Sequence, residues 1–287
     1  MPEPPIVLPD FETFGNQSIN GLEKPEEANA ATQALLKEDR ESGRPRIDNP
    51  GDNQVPLARG ILRDGTWYRD AEVRELNGYD EEAIAAAGVS GDAFKVFEAL
   101  LLRGVTAVGG EPMTRKLAGE LLIGDRELLV MGVRRATFGP DLEFERLPCS
   151  NCGELTDLTV PLDSVPLVHL EDPERTEFEV PLRKGETAIV RLPTGQDQTA
   201  VLGIKGNRAK QDSEILSRCV LRLIRPDGTE VRRPPVQSIF MADRQTILQF
   251  LTDTQPGPRL LDFKWTHETC GEEVSLPISL AVLFRGL

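Results

Sequence analysis

Histidine is almost missing from this chain: His169 and His267 are the only two in 287 residues. That removes most routes to imidazole acid–base or Ser–His chemistry. Also missing are a Gly-x-Ser-x-Gly elbow, a Walker or dinucleotide glycine pattern and a His-Glu-x-x-His helix. Gly195-Gln196-Asp197 has neither the glycine spacing nor the Lys-Ser/Thr ending of a phosphate loop. Aromatics are only 5% of residues, and no basic stripe interleaves with them. Acids outnumber bases 47 to 33, so the net charge of −14 argues against a nucleic acid or an anionic membrane surface as partner. No apolar run approaches the roughly 18 residues that span a bilayer. Met1-Pro2-Glu3-Pro4-Pro5 has neither the basic nor the apolar region of a secretory leader, so a cytoplasmic site of synthesis is expected. Four cysteines are too few for a disulfide scaffold, and three sit in metal-type turns, which suits a reducing compartment.

What is there begins with those turns. Cys149-Ser150-Asn151-Cys152-Gly153 and His267-Glu268-Thr269-Cys270-Gly271 each present two ligands at x-x spacing and close on a glycine, which can take the positive φ that aims amides at sulfur. Together Cys149, Cys152, His267 and Cys270 make one tetrahedral Cys3His zinc site, filled by protein and with no position left for water or substrate. The zinc would then be structural. A redox Cys-x-x-Cys pair and inert thiols are the competing readings, and Cys219 or His169 are rival ligands. Cys219 falls within an apolar stripe and reads as a small buried hydrophobe. His169 reads as a surface residue of a strand or loop.

Residues 1–56 read as an extended, partner-ordered arm, because eight prolines are scattered among Glu, Asp, Asn and Gly. A hairpin is expected around Asp64-Gly65, then a helix from Asp80 through Ala87 whose Asp80, Glu81 and Glu82 are solvated dipole partners. Helices capped by Asp92 and Thr114 and a third from Gly124-Asp125 follow, giving with the hairpin a helical lobe over 57–148. Further on, the pattern predicts a strand pair around Lys184-Gly185-Glu186, a weak helix after Thr194, a helix from Asp212 with Ile215, Leu216, Cys219, Val220, Leu223 and Ile224 on its apolar face, and another from Asp243. Leu260–Trp265 and Val274–Ile278 are expected strands into and out of the second turn. No internal repeat is evident. The expected architecture is α+β: the arm, the N-terminal helical lobe, and an inserted mixed α/β lobe over 166–258, joined by a split zinc-ribbon β element over 149–165 and 259–287.

The order of several segments resembles the baseplate hub assembly chaperone family of T-even-type contractile phages, which is also found in phage-like contractile injection systems. They are Gly60–Glu82 with Arg74-Glu75-Leu76-Asn77-Gly78, Leu121-Leu122-Ile123-Gly124-Asp125-Arg126, Cys149-x-x-Cys152-Gly153, Leu192-Pro193-Thr194-Gly195-x-Asp197-Gln198, the Leu-x-x-Cys at Cys219, and Cys270-Gly271. The likeness spans roughly residues 57–285; the chain differs in carrying His267 where a cysteine is more usual, and its arm lies outside. The resemblance implies a non-enzymatic protein of a tail baseplate, made in the host cytoplasm and binding hub or tube subunits, with no small-molecule ligand. The alternatives are a transient hub chaperone absent from the mature particle and, from another class, a zinc-dependent hydrolase.

Overall fold

The computed structural model describes residues 53–284. Gln54–Arg63 (β1) and Thr66–Val73 (β2) form the antiparallel hairpin expected of Asp64-Gly65. Both turn residues have positive φ, 49° and 81°, the geometry that matches the twist of the flanking strands. Pro56 lies inside β1, which corrects the arm boundary; β1 is the edge of its sheet, where a missing N–H breaks no ladder bond. The rest of the arm expectation, residues 1–52, falls outside the described residues.

Gly78–Gly88 (α1) and Ala93–Gly104 (α2) come next, and Val105–Val108 (β3) starts where α2 stops. Glu111–Pro112 (β4) completes a four-stranded sheet in the order β1-β2-β3-β4. The region before the first Cys turn is therefore not a helical lobe with one hairpin: β3 and β4 extend the sheet, and the β3 residues Val105 and Val108 are buried. Arg115–Glu120 (α3) and Ile123–Phe138 (α4) lead into Asp141–Pro148 (β5) and Leu155–Pro161 (β6), the hairpin that carries Cys149 and Cys152.

Beyond it, Leu167–Val168 (β7) precedes Phe178–Pro181 (β8) and Thr187–Val190 (β9), joined through Lys184 and Gly185 at φ 66° and 76°. Gly195–Leu202 (α5) and Arg208–Cys219 (α6) follow. The apolar stripe expected to continue as helix to Ile224 breaks at Cys219: Val220–Ile224 (β10) is a strand between β9 and Glu230–Arg232 (β11). Met241–Thr254 (α7), Gly257–Pro258 (β12, paired with β7), Lys264–Thr266 (β13), Glu273–Ser275 (β14) and Leu280–Leu283 (α8) end the chain's described part. Leu260–Asp262 is a 3₁₀ turn and not the start of a strand, and β14 stops two residues before Pro277. Among the described residues the fold is α+β, with eight α-helices and several small sheets.

The order β-hairpin, two helices, two strands, helix, Cys-turn hairpin is written twice. β1-β2-α1-α2-β3-β4-α4-β5-β6 is matched by β8-β9-α5-α6-β10-β11-α7-β13-β14, and both four-stranded sheets have the same order. Residues match at a nearly constant stride. Arg74-x-x-Asn77-Gly78-x-Asp80 answers to Arg191-x-x-Thr194-Gly195-x-Asp197, Leu121-Leu122-Ile123-Gly124-Asp125-Arg126 to Ile239-Phe240-Met241-Ala242-Asp243-Arg244, and Cys149-x-x-Cys152-Gly153 to His267-x-x-Cys270-Gly271. Backbone bonds match too: Arg74 N donates to Gly104 O at 2.8 Å, Arg191 N to Cys219 O at 2.9 Å. The chain thus contains an internal repeat, correcting the expectation of none. The buried apolar residues fall into two clusters. One gathers residues of the first repeat with Phe263, Ile278, Leu283 and Phe284; the other gathers Phe178, Leu192, Leu216, Cys219, Ile247 and their neighbours.

One device starts the first helix of each repeat. Asp80 and Asp197 are the third helical residues, and each carboxylate accepts from its cap's backbone N–H and takes a two-pronged bond from the arginine six residues back. Arg74 does so at 2.8 and 2.9 Å, Arg191 at 2.7 and 2.9 Å. Asp80 is therefore buried, not solvated as expected; Glu81 and Glu82 are exposed. Arg74 holds the Asp80 carboxyl below its ordinary range, and at Asp197 burial acts upward but Arg191 and Thr194 prevail. Carboxyls with depressed folded values contribute stability above the unfolded value near ~3.9 and lose it as pH falls through the folded one. Asp197→Asn should cost about 2–3 kcal/mol at pH 7 and flatten the acid limb of a stability–pH profile below about pH 4. An acid limb identical to that of the unsubstituted protein would count against this role.

Candidate metal centre

Each ligand turn is the tip of a β-hairpin, and the two tips are built alike. Cys149 N donates to Glu154 O (2.8 Å) and Gly153 N to Cys149 O (2.8 Å); His267 N donates to Glu272 O (2.9 Å) and Gly271 N to His267 O (2.7 Å). Gly153 and Gly271 take φ of 75° and 70°, which a side chain would resist, so the closing glycine is a backbone requirement in both turns. β5-β6 and β13-β14 bring the tips face to face, although residues 153–266 separate them in sequence.

Cys149, Cys152, His267 and Cys270 are brought together, with one ligand atom from each lying within 4.8 Å of all the others. Cys149 Sγ is 3.9 Å from Cys270 Sγ; His267 Nδ1 is 3.4 Å from Cys152 Sγ and 3.2 Å from Cys270 Sγ. Cys149 and His267 are buried, Cys270 is half-buried and Cys152 exposed. The group could hold a metal ion. His267 packs edge-on against Trp265 with ring centroids 5.3 Å apart, which fixes the imidazole plane, and Asn151 Nδ2 approaches Cys270 Sγ at 3.8 Å.

The rival ligands are elsewhere. Cys219 is wholly buried at the end of α6, where burial pushes its thiol up to about 12 and keeps it protonated at neutral pH. His169 is exposed beside β7 and belongs to no metal-type group among the described residues.

Two groups on α4 escaped the sequence reading, the buried Asp125 and the half-buried Glu127. Asp125, fully buried, accepts the backbone N–H of Ala58 (2.6 Å), Arg59 (3.3 Å) and Gly60 (2.9 Å), so it stands in for a strand along the free edge of β1. Glu127 lines a cavity of about 540 Å³ with Ile123, Leu202, Ile215, Leu248 and Arg259. Burial pushes its carboxyl up to about 7 against the pull of Arg259 and Arg126. An acid whose folded value is raised destabilises the fold increasingly as pH climbs from its ordinary value of 4.5 towards the folded one, and carries the full cost above about 7. Glu127→Gln is therefore expected to stabilise the protein at pH 8 by up to about 3 kcal/mol, a gain that vanishes below about pH 4.5 where both states are protonated. Denaturant melts at the two pH values check it; an equal effect at both would contradict it.

No family model, no curated protein and no solved structure matches the chain.

Proposed function

We propose that the chain is a non-enzymatic structural or assembly protein whose metal centre holds one structural zinc ion, and that it serves in the hub region of a contractile tail baseplate. The observation that carries the non-enzymatic reading is the ligand set: three sulfurs and one imidazole nitrogen, all from the protein, lie within 4.8 Å of one another. Zinc with Zn–S near 2.3 Å and Zn–N near 2.0–2.1 Å asks for tetrahedral edges of roughly 3.8 Å between sulfurs and roughly 3.5 Å from sulfur to nitrogen. The separations of 3.9, 3.4 and 3.2 Å suit that ion. Four protein ligands leave no position for an activated water, which disfavours the hydrolase reading.

With zinc in place, the two hairpins act as one split ribbon joining the N-terminal part to the residues between the turns, and metal binding energy becomes folding energy. The baseplate assignment is supported by the family resemblance of the segments at 74–80, 121–126, 149–153 and 192–198. The acidic surface and the arm would engage hub or tube subunits. The test is the composition of purified tail particles: a stoichiometric band of this chain means a resident subunit, and presence in assembly intermediates with absence from mature tails means a transient chaperone. Absence from both would overturn the baseplate reading. Metal-dependent hydrolysis of cell-wall polymer by the purified protein would overturn the non-enzymatic one.

A further inference from the structure

The two repeats meet through a specific backbone contact. Leu122, at the entrance to α4, forms an antiparallel bridge with Thr194, at the entrance to α5. Gly195 N donates to Leu121 O (2.9 Å), and Ile123 N to Pro193 O (3.4 Å). Leu122 is almost fully covered. Gly195 is confined to glycine here, because a Cβ would stand 2.5 Å from Ala118 O and 2.8 Å from Arg126 Nη1. The α4 entrance of repeat one meets the α5 entrance of repeat two, each donating one of the two bonds, and because the two faces are different the contact runs head to tail.

Each repeat also carries the face its sibling uses, and among the described residues both spare faces are exposed, with the Lys184 ammonium 3.9 Å over the Phe240 ring at one of them. The counterpart of Leu122-Ile123 is Phe240-Met241 at the entrance to α7, where the two side chains are 51% and 75% exposed. The counterpart of Thr194-Gly195 is Asn77-Gly78 at the entrance to α1, followed by Tyr79 at 83% exposed. As first helical residues, Met241 and Gly78 have N–H groups without an intrahelical acceptor, and no backbone acceptor is found for them among the described residues. Nothing within the described chain requires glycine at 78: its φ is not positive, and a Cβ there would meet no atom within 4 Å. Its counterpart Gly195 is glycine only because a neighbouring repeat presses on it.

We propose that a second copy of this chain docks there: Ile239-Phe240-Met241 of one copy bridges Leu76-Asn77-Gly78 of the next, repeating between molecules the contact already made within each. A head-to-tail contact of this kind is heterologous, so copies add in one direction to close a ring or extend a row. This inference rests on the internal repeat and stands apart from the baseplate reading.

The test is sedimentation velocity of the full chain over a wide concentration range, with Phe240→Asp and Gly78→Arg made separately. Both substitutions suit the folded monomer: aspartate is favoured at the helix cap that Phe240 occupies, and position 78 has open space. The unsubstituted chain is expected to grow beyond a monomer with concentration, and each variant to associate at least tenfold more weakly. An equimolar mixture of the two should give a discrete dimer, because the intact Phe240 face of the Gly78→Arg variant meets the intact Gly78 face of the other. A chain that stays monomeric throughout would overturn the proposal. So would variants that associate as well as the unsubstituted chain, or a mixture that yields no dimer.

Discussion

Chelating the metal from the purified protein is expected to lower its melting temperature by more than about 10 °C and to abolish a single cooperative transition. The second hairpin has little strand pairing of its own. β13 and β14 are three residues each, too short to be stable as an isolated hairpin, and the turns are closed by two backbone bonds apiece. Structural zinc in finger peptides binds with about 10–16 kcal/mol, which sets the ceiling for what is lost. The cysteines provide an internal control. Cys149 and Cys219 are both buried, so their replacement by serine deletes comparable packing. Cys149→Ser should nonetheless cost several kcal/mol and Cys219→Ser only about 1 kcal/mol, since the Cys219 thiol is protonated and is no member of the ligand group. Equal, small losses in thermal melts would mean that the turns are not a metal site.

Asp125→Ala is expected to cost about 3–5 kcal/mol, the largest effect of any single substitution outside the metal centre. It would leave the amides of Ala58, Arg59 and Gly60 without that acceptor at a largely buried strand edge, and remove the carboxylate that most favours the charge of the buried Arg59. Its counterpart gives the comparison: Asp243 accepts from one amide, Arg183 N at 3.1 Å, and from the exposed Arg183 Nε at 3.2 Å. Asp243→Ala should therefore cost roughly half as much. Urea melts of the two variants would show it, and a larger loss at Asp243 would contradict the view that Asp125 substitutes for a strand at the edge of β1.

The features legible in the sequence were those a few adjacent residues decide. Asp64-Gly65 fixes a hairpin, Asp92 and Thr114 cap helices, and the two x-x turns with their closing glycines present a ligand set whose members the fold does bring together. What escaped depends on partners distant in sequence or on ambiguous apolar runs. Val220–Ile224 fits a helical stripe as well as a strand, and only pairing with Thr187–Val190 decides it. Val105–Val108 begins one residue after a helix and is decided by Ala71–Val73 in the same way. Asp80 looked solvated because its burial depends on the fork of Arg74 closing over it. The repeat was hidden because its halves share a handful of positions, and because His267 replaces in the second turn the cysteine that Cys149 provides in the first.

The claim on which the account turns is that two equivalent hairpins, one from each repeat, clasp a single zinc ion. Metal content per chain, measured on protein purified without chelator and again on His267→Ala, tests it most directly. About one zinc per chain, sharply reduced in the variant, is the expected result. Protein that is folded yet free of metal, or zinc bound equally well without His267, would contradict it.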